Sequence, residues 1–176
     1  NEVIMATGRK RAKVIVIDSI KTKLTERGGF FIPAPAGRES AVIFSMIKVI
    51  IDEGLYDDKN VAAKAEGFEA LTASLKDYHP DRVASELGID SELIKEAARA
   101  YAKAPTAMTL LSEGLYRVIP GDENARAAAT LAVLTGHIGK PSCGVMVLGE
   151  KANSQGAIDM GLTPRHLPGP GLLEDE

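Results

Sequence analysis

The 176-residue sequence is poor in the residue types that mark several common kinds of site. It has one cysteine and three histidines, so it offers no internal disulfide and no cysteine set for a metal ion or an iron–sulfur cluster. Aromatic residues make up 5% of the chain and tryptophan is absent. This composition suits close packing of helices on a sheet more than a β-sandwich. We predict neither a metal site nor a catalytic residue.

Other absences narrow the choice of partners. No stretch approaches the ~18 apolar residues that a membrane span needs, so we expect no direct membrane insertion. No signal peptide is visible, and we expect a cytoplasmic location. The net charge is −3 and no basic stripe stands out, which argues against nucleic acid as a partner.

The glycine-rich nucleotide motifs are absent as well. There is no Gly-x-Gly-x-x-Gly, and the run from Gly136 to Lys140 is followed by Pro141 instead of the Ser or Thr of a phosphate loop. The spacing of the histidines and Cys143 in the sequence reveals no nucleophile–base arrangement. We expect His79, His137 and Cys143 to be structural, whereas His166 lies among prolines and its role is open.

A short apolar run, Val14-Ile15-Val16-Ile17, is the strongest feature that the sequence does contain. Four β-branched residues without alternation are typical of a strand buried on both faces of a parallel sheet. Asp18 follows at the carboxyl end, where open α/β sheets bind ligands. Asp18 either contacts a nucleotide there or merely caps the next turn.

The remaining pattern alternates strands with helices. Strands are predicted at 13–18, 30–32, 107–111 and 145–148, and helices at 1–11, 39–53, 58–65, 68–75, 80–88, 91–103 and 122–134. This order predicts a three-layer αβα sandwich with a mainly parallel, Rossmann-like sheet that lacks the glycine motif. Residues 1–149 would form a dinucleotide-binding-like domain with a helical insert at about 55–104. Residues 150–176 would be a loop segment leading into a neighbouring domain.

Two loops have the chemistry of binding segments. The loop 36–40 leads into the strongest helix, whose N-terminus can hold an anion while Glu39 bonds a sugar or a base. It can equally be an ordinary turn in which the helix dipole favours Glu39. The loop 152–161 combines amide side chains, an acid and glycines, which suits contact with a heteroaromatic ring or a phosphate. The alternative for this second loop is a solvated linker.

Several stretches, taken in order, resemble the molybdopterin oxidoreductase family. They are 12–18 (AKVIVID), 46–56 (MIKVIIDEGLY), 66–69 (EGFE), 94–103 (IKEAARAYAK), 134–141 (LTGHIGKP) and 153–161 (NSQGAIDMG). The similarity extends over nearly the whole chain. It is strongest to the large subunits of formate dehydrogenases and to the related G-type subunit of respiratory NADH:quinone oxidoreductase.

The resemblance implies a cofactor and the residues that bind it. The family uses a bis(molybdopterin guanine dinucleotide) carrying molybdenum or tungsten, held between two α/β domains, with iron–sulfur clusters elsewhere in the subunit. By similarity, Asp18 matches an acid that holds a guanine, and Lys21 matches a basic position in the following turn. Gly37 and Glu39 match a second turn near the same nucleotide. The pterin-side positions are Asn153, Gln155, Gly156 and Asp159.

The sequence also departs from the family pattern. Ser19 and Ile20 replace a Pro-Arg pair, and Arg38-Glu39 replaces Thr-Asp. Formate dehydrogenases carry an arginine before the Gln-Gly-Ala segment that serves the substrate, and the run 148–153 (LGEKAN) has none. These changes favour an alternative in which the domain is a cofactor-free scaffold of the NADH:quinone oxidoreductase type.

The family's metal-ligating Cys or selenocysteine lies upstream of the similar stretches, so the resemblance implies that this chain alone is inactive and holds no cofactor. The implied partners are the remaining domains of its own subunit and the other subunits of a redox complex. Any association with a membrane would come through that complex.

Overall fold

The first sheet is a parallel pair of short strands. The computed structural model describes residues 12–27, 29–59, 66–117, 121–149 and 151–162, together with Met5 and Val61. β1 (Val14–Asp18) pairs with β2 (Gly29–Pro33) in a register that sets Val14 opposite Gly29 and Asp18 opposite Pro33. A 3₁₀ turn at Thr25–Arg27 precedes β2. The carboxyl ends of both strands therefore lie at one edge, as predicted.

A second parallel pair follows in the second half of the chain, and helices occupy most of the rest. The pair consists of β3 (Met108–Ser112) and β4 (Gly144–Leu148). The helices are α1 (Glu39–Asp52), α2 (Phe68–Ser74), α3 (Pro80–Leu87), α4 (Ser91–Ala102), α5 (Glu113–Arg117), α6 (Gly121–Leu134) and α7 (Ser154–Asp159), with a 3₁₀ turn at Leu75–Asp77 after α2. The α/β class and the parallel pairing are confirmed.

Helix α1 is the centre of the core. Val42, Ile47 and Ile50 are fully buried, and Met46 is 1% exposed. Each such side chain stabilises the fold by about 1.5–3 kcal/mol relative to an exposed position. The helix contacts β1 on one side and packs on α3, α4 and α6. Helix α6 in turn packs on β3 and β4, so α1 and α6 join the two sheets.

The helix ends follow the local signals in the sequence. The Asp90 side chain accepts a hydrogen bond from the Glu92 amide at 3.0 Å and caps α4, as the sequence predicts. Pro80 occupies the first position of α3, where its missing N–H costs nothing. Gly54 ends the α1 segment with φ of +63°, a left-handed conformation that favours glycine.

The prediction of a strand buried on both faces is wrong for β1, and the second sheet also has an exposed face. Met108, Leu110, Met146 and Leu148 are between 39% and 49% exposed and share one face of the β3–β4 pair. β1 is half-buried along its whole length. Among the described residues each sheet has two strands. The opposite face of the second sheet carries the buried Leu111 beside Val147, which is 53% exposed.

Other predictions need correction or fall outside the described residues. The loop predicted over 152–161 contains α7. Of the helix predicted over 58–65, Asp58, Lys59 and Val61 are helical, and its other residues are not described. The helix predicted over 1–11 lies outside the described residues except for Met5, which is helical. The domain boundary near residue 149 remains a prediction.

No helix in the described part of the chain has the length and apolar character that a membrane crossing requires.

Candidate functional site

Asp18 lies where the sequence places it, at the carboxyl end of β1. Its backbone oxygen accepts a hydrogen bond from the Ala34 amide at 3.1 Å, which ties the loop after β2 to the end of β1. Its side-chain Oδ1 accepts the Ile20 amide at 3.2 Å. This is the turn-capping contact of the simpler interpretation. It engages one carboxylate oxygen, so a ligand donor can still approach the other.

The loop between β2 and α1 is a tight, internally bonded turn. The Arg38 amide donates to the Pro35 carbonyl at 2.9 Å, and Gly37 has φ of +83°, which a β-branched or bulky residue would adopt only with strain. The Gly37 amide donates to Glu39 Oε2 at 2.8 Å. Glu39 is only 8% exposed. Its carboxylate therefore folds back on its own turn.

The parallel register brings Asp18 and the turn of Gly37 and Glu39 to the same edge of the first sheet. Asp18 ends β1, and the turn of Gly37 and Glu39 begins four residues after β2 ends. Lys21 is exposed in the connector after β1. The grouping follows from the parallel register, because parallel neighbours end at a common edge.

A cleft of about 280 Å³ opens beside this turn, and sequence reasoning missed it. Arg38 on its rim pairs with Glu86 of α3 at 2.8 Å, and Arg82 pairs with the same Glu86 at 3.1 Å. Burial raises the pKa of Tyr78, and Glu123 raises it further by charge and by a hydrogen bond. Both guanidinium groups are already neutralised by carboxylates, so this cleft is poorly suited to phosphate.

The second group of predicted residues lies on and before α7. The Asn153 carbonyl accepts the Ala157 amide at 3.0 Å, so Asn153 begins the helix. The Asn153 side-chain amide covers the Cα of Gly156, and a methyl group added there would lie 2.9 Å from Asn153 Cγ. Asp159 is exposed at the end of the helix. The side chain of Gln155 lies outside the described part of the structure.

These two groups follow different sheets. The first follows β1 and β2, and the second comes after β4, whose carboxyl end is Leu148. No group of three or more His, Cys, Asp or Glu side chains suitable for a metal ion occurs among the described residues. The two groups of predicted site residues consist of amides, carboxylates and a lysine. Their chemistry is hydrogen bonding to a polar ligand.

The histidine and cysteine predictions are partly testable. His137 is 2% exposed, and its Nε2 donates to the Tyr101 carbonyl at 3.1 Å, which fits the structural role predicted for it. Its ring stands edge-on to Tyr101. Cys143 Sγ lies 4.0 Å from His137 Nδ1. His79 precedes α3 with its Nδ1 3.6 Å from the Asp81 carboxylate. His166 is outside the described residues.

Comparison with known protein families shows which family this chain belongs to. The family model described as molybdopterin oxidoreductase matches residues 1–168. The chain belongs to the molybdopterin oxidoreductase family. The resemblance predicted from the sequence is therefore confirmed at the level of the family.

Curated relatives and a solved structure agree with this assignment. The alpha subunit of F420-dependent formate dehydrogenase from Methanocaldococcus jannaschii is 37% identical over 172 residues, 98% of this chain and 26% of that subunit. Formate dehydrogenase H from Escherichia coli is 38% identical over 175 residues, 99% of this chain and 24% of that protein. Acetylene hydratase from Pelobacter acetylenicus superposes with a TM-score of 0.73 at 29% identity, over 78% of this chain and 19% of that chain.

The similarity is not confined to formate dehydrogenases. The catalytic subunit of the assimilatory nitrate reductase of Bacillus subtilis is 27% identical over 165 residues. The chain spans about a quarter of the length of the two formate dehydrogenases.

Proposed function

We propose that this chain is part of the large subunit of a molybdopterin-dependent oxidoreductase and that it contributes contacts to a bis(molybdopterin guanine dinucleotide). The observation that carries the proposal is the family match over residues 1–168, combined with identities of 37% and 38% to formate dehydrogenase subunits over nearly all of the chain. The cofactor's metal, molybdenum or tungsten, and the iron–sulfur clusters would be bound by other parts of that subunit.

The donor set at the first sheet edge fits the nucleotide end of such a cofactor. A guanine presents N–H donors, and the Asp18 carboxylate keeps an oxygen beyond the one that accepts the Ile20 amide. Lys21 is an exposed cation in the connector after β1 and suits a phosphate. A methyl group added at Gly37 would meet no atom within 4 Å, so the backbone of the turn is open to a ligand.

The second group fits the pterin end. Asn153 presents an exposed amide that can donate and accept at once, as a heteroaromatic ring with mixed polar edges requires. Gly156 lacks a side chain directly under that amide. Gln155 and Asp159 complete the set that the resemblance assigns. When bound, the cofactor supplies the two-electron redox chemistry. The residues of this chain hold its polar ends in register.

For the substrate of the whole protein we propose formate. The experiment is a formate-dependent dye-reduction assay of the purified full-length subunit in its complex, with nitrate reduction measured in parallel. Formate-dependent reduction supports the proposal. Activity with nitrate alone would assign the protein to another branch of the family, since a nitrate reductase is also similar to this chain.

The competing function is a cofactor-free scaffold, as in a G-type subunit of NADH:quinone oxidoreductase. The run 148–153 lacks the arginine that serves the substrate in formate dehydrogenases, and this absence favours the scaffold. The two functions differ in a simple way. The scaffold contains no molybdenum, no tungsten and no pterin, and it reduces no dye with formate and does not reduce nitrate.

A further inference from the structure

We infer that Glu39 is a positioning residue that shapes the Gly37 turn and does not itself contact the nucleotide. This inference rests on the proposed function for its consequence, which is retention of the cofactor. Its structural basis is independent of the cofactor, because it concerns a contact within the turn. It also reverses the role that the family resemblance gives to Glu39.

The first observation is that the Glu39 carboxylate already has a partner inside its own loop. Gly37 N–H donates to Glu39 Oε2 at 2.8 Å, so one carboxylate oxygen is already engaged within the loop. The contact runs backward from the first residue of α1 to a residue that precedes the helix. It is therefore not a bond that the helix would make by itself.

The second observation is burial. Glu39 is 8% exposed, although it lies in the first turn of a helix at the surface edge of a sheet. A carboxylate is rarely that buried unless it is paired or hydrogen-bonded. By contrast, Asp18 is half-buried at the same edge, and Lys21 in the connector after β1 is exposed. The residues that remain accessible to a ligand are Asp18 and Lys21.

The third observation is that the turn needs a restraint. Gly37 has φ of +83° and no atom would lie within 4 Å of a side chain placed there, so packing does not hold it. Two hydrogen bonds do so, one closing the turn from Arg38 N–H to Pro35 O at 2.9 Å and one to Glu39. Arg38 also pairs with Glu86, but their side chains are 49% and 44% exposed. Such exposed pairs contribute little.

Four variants of the full-length subunit separate positioning from direct contact. Glu39→Gln keeps an oxygen that can accept the Gly37 N–H but has no charge. Glu39→Asp keeps the charge but is one methylene shorter, and Glu39→Ala removes the acceptor. Arg38→Gln is the matched control because it breaks only the exposed ion pair. The two readouts are hydrogen–deuterium exchange of a peptide over 34–41 and guanine nucleotide released per subunit.

We expect Glu39→Gln and Arg38→Gln to match the wild type in both readouts. Glu39→Ala and Glu39→Asp should exchange about tenfold faster at the turn, the factor expected for one lost hydrogen bond, and should retain less nucleotide. Loss of nucleotide in Glu39→Gln with unchanged exchange would overturn the inference in favour of direct contact. Unchanged exchange in both Glu39→Ala and Glu39→Asp would also overturn it.

The exchange readout does not depend on the cofactor. If the wild-type subunit contains no guanine nucleotide, the proposed function fails. The role of Glu39 in the turn is then decided by exchange alone, with the same expected order of variants. Should Glu39→Ala not fold, Glu39→Asp supplies the comparison.

Discussion

At the scale of single residues, the candidate site depends on which polar atoms are already used within the protein. Asp18 and Glu39 are both acids next to the same sheet edge, yet Glu39 is buried against the Gly37 amide and Asp18 is half-buried. Sequence similarity assigns both to one nucleotide. Only the geometry separates a residue that can meet a ligand from one that shapes the loop.

Asp18→Asn tests the nucleotide contact with little disturbance of the fold. The asparagine oxygen can still accept the Ile20 amide, so the thermal midpoint should remain within about 2 °C of the wild type. The charge that strengthens a bond to guanine N–H donors is lost, and nucleotide content of the purified subunit should fall about tenfold. Asp52→Asn, on the far end of α1, is the control. Equal nucleotide content in Asp18→Asn and wild type would remove Asp18 from the site.

Gly156→Ala tests the pterin-side segment. The new methyl group would occupy the place of the Asn153 side-chain amide, which is exposed and can move away. Alanine also favours a helix by up to about 1 kcal/mol over glycine. The expected result is therefore a fold as stable as the wild type with a lower pterin content, measured by pterin fluorescence after oxidative release. A normal pterin content would show that Asn153 need not keep its position.

At the scale of secondary-structure elements, the β1–β2 pair depends on one glycine. Gly29 has φ of +125°, and a methyl group there would lie 2.9 Å or less from the backbone of Val14. Backbone atoms cannot move aside as a side chain can. Gly29→Ala should thus lower the free energy of unfolding by about 3 kcal/mol or more.

Gly54→Ala is the matched control for Gly29→Ala. Gly54 also has a positive φ, +63°, but the space beside it is empty. It should cost about 1–2 kcal/mol, the price of a left-handed alanine alone. Urea unfolding of both variants gives the comparison. Equal losses of the free energy of unfolding in the two variants would mean that the close approach of Gly29 to Val14 adds nothing to the cost of a left-handed alanine.

Ion pairs that join α4 to the end of α1 and to α3 should make the stability of the fold decrease at acid pH. A hydrogen bond from Arg99 lowers the pKa of Glu53, and a hydrogen bond from Lys95 lowers the pKa of Asp81 between α3 and α4. A carboxylate whose pKa is lower in the folded state stabilises the fold at neutral pH, and this contribution is lost as the pH falls through the folded-state pKa. The thermal midpoint of the wild type should fall between about pH 5 and pH 3.

Arg99→Gln identifies the source of that acid sensitivity. The variant should start with a slightly lower midpoint at pH 7 and lose less of it on acidification, because Glu53 then titrates more nearly as in the unfolded chain. Glu69→Gln on α2 is the control and should follow the wild type. Parallel curves for Arg99→Gln and the wild type would contradict this origin.

The elements most accurately predicted from the sequence are those with strong local signals. β1 was expected at 13–18 and runs over Val14–Asp18, and α1 was expected at 39–53 and runs over Glu39–Asp52. Helix α7 was missed because six residues that include Gly156 carry too little periodicity to distinguish a helix from a loop. The exposure of Leu110 could not be foreseen either, since a strand's sequence does not state how many neighbours its sheet has.

For the candidate site, the sequence indicates the residues but not their use. The parallel register explains why Asp18 and the Gly37 turn share an edge, and this follows from the strand order. The back-bond to Glu39 and the paired arginines beside it depend on side-chain geometry, which no motif in the sequence encodes.

At the scale of the whole molecule, this chain spans about 26% of the length of one formate dehydrogenase subunit and 24% of another. A cofactor of the proposed kind touches more than one domain, so its retention reports on the assembled protein. The described residues supply polar contacts and no metal ligand set.

The central claim is that these residues hold a guanine-dinucleotide pterin cofactor, and the most direct test is metal and pterin analysis of the full-length subunit purified in its complex. We predict molybdenum or tungsten together with guanine nucleotide in a ratio of about two per subunit, as two dinucleotides on one metal require. A subunit that contains neither metal nor pterin would contradict the claim and identify the fold as a scaffold.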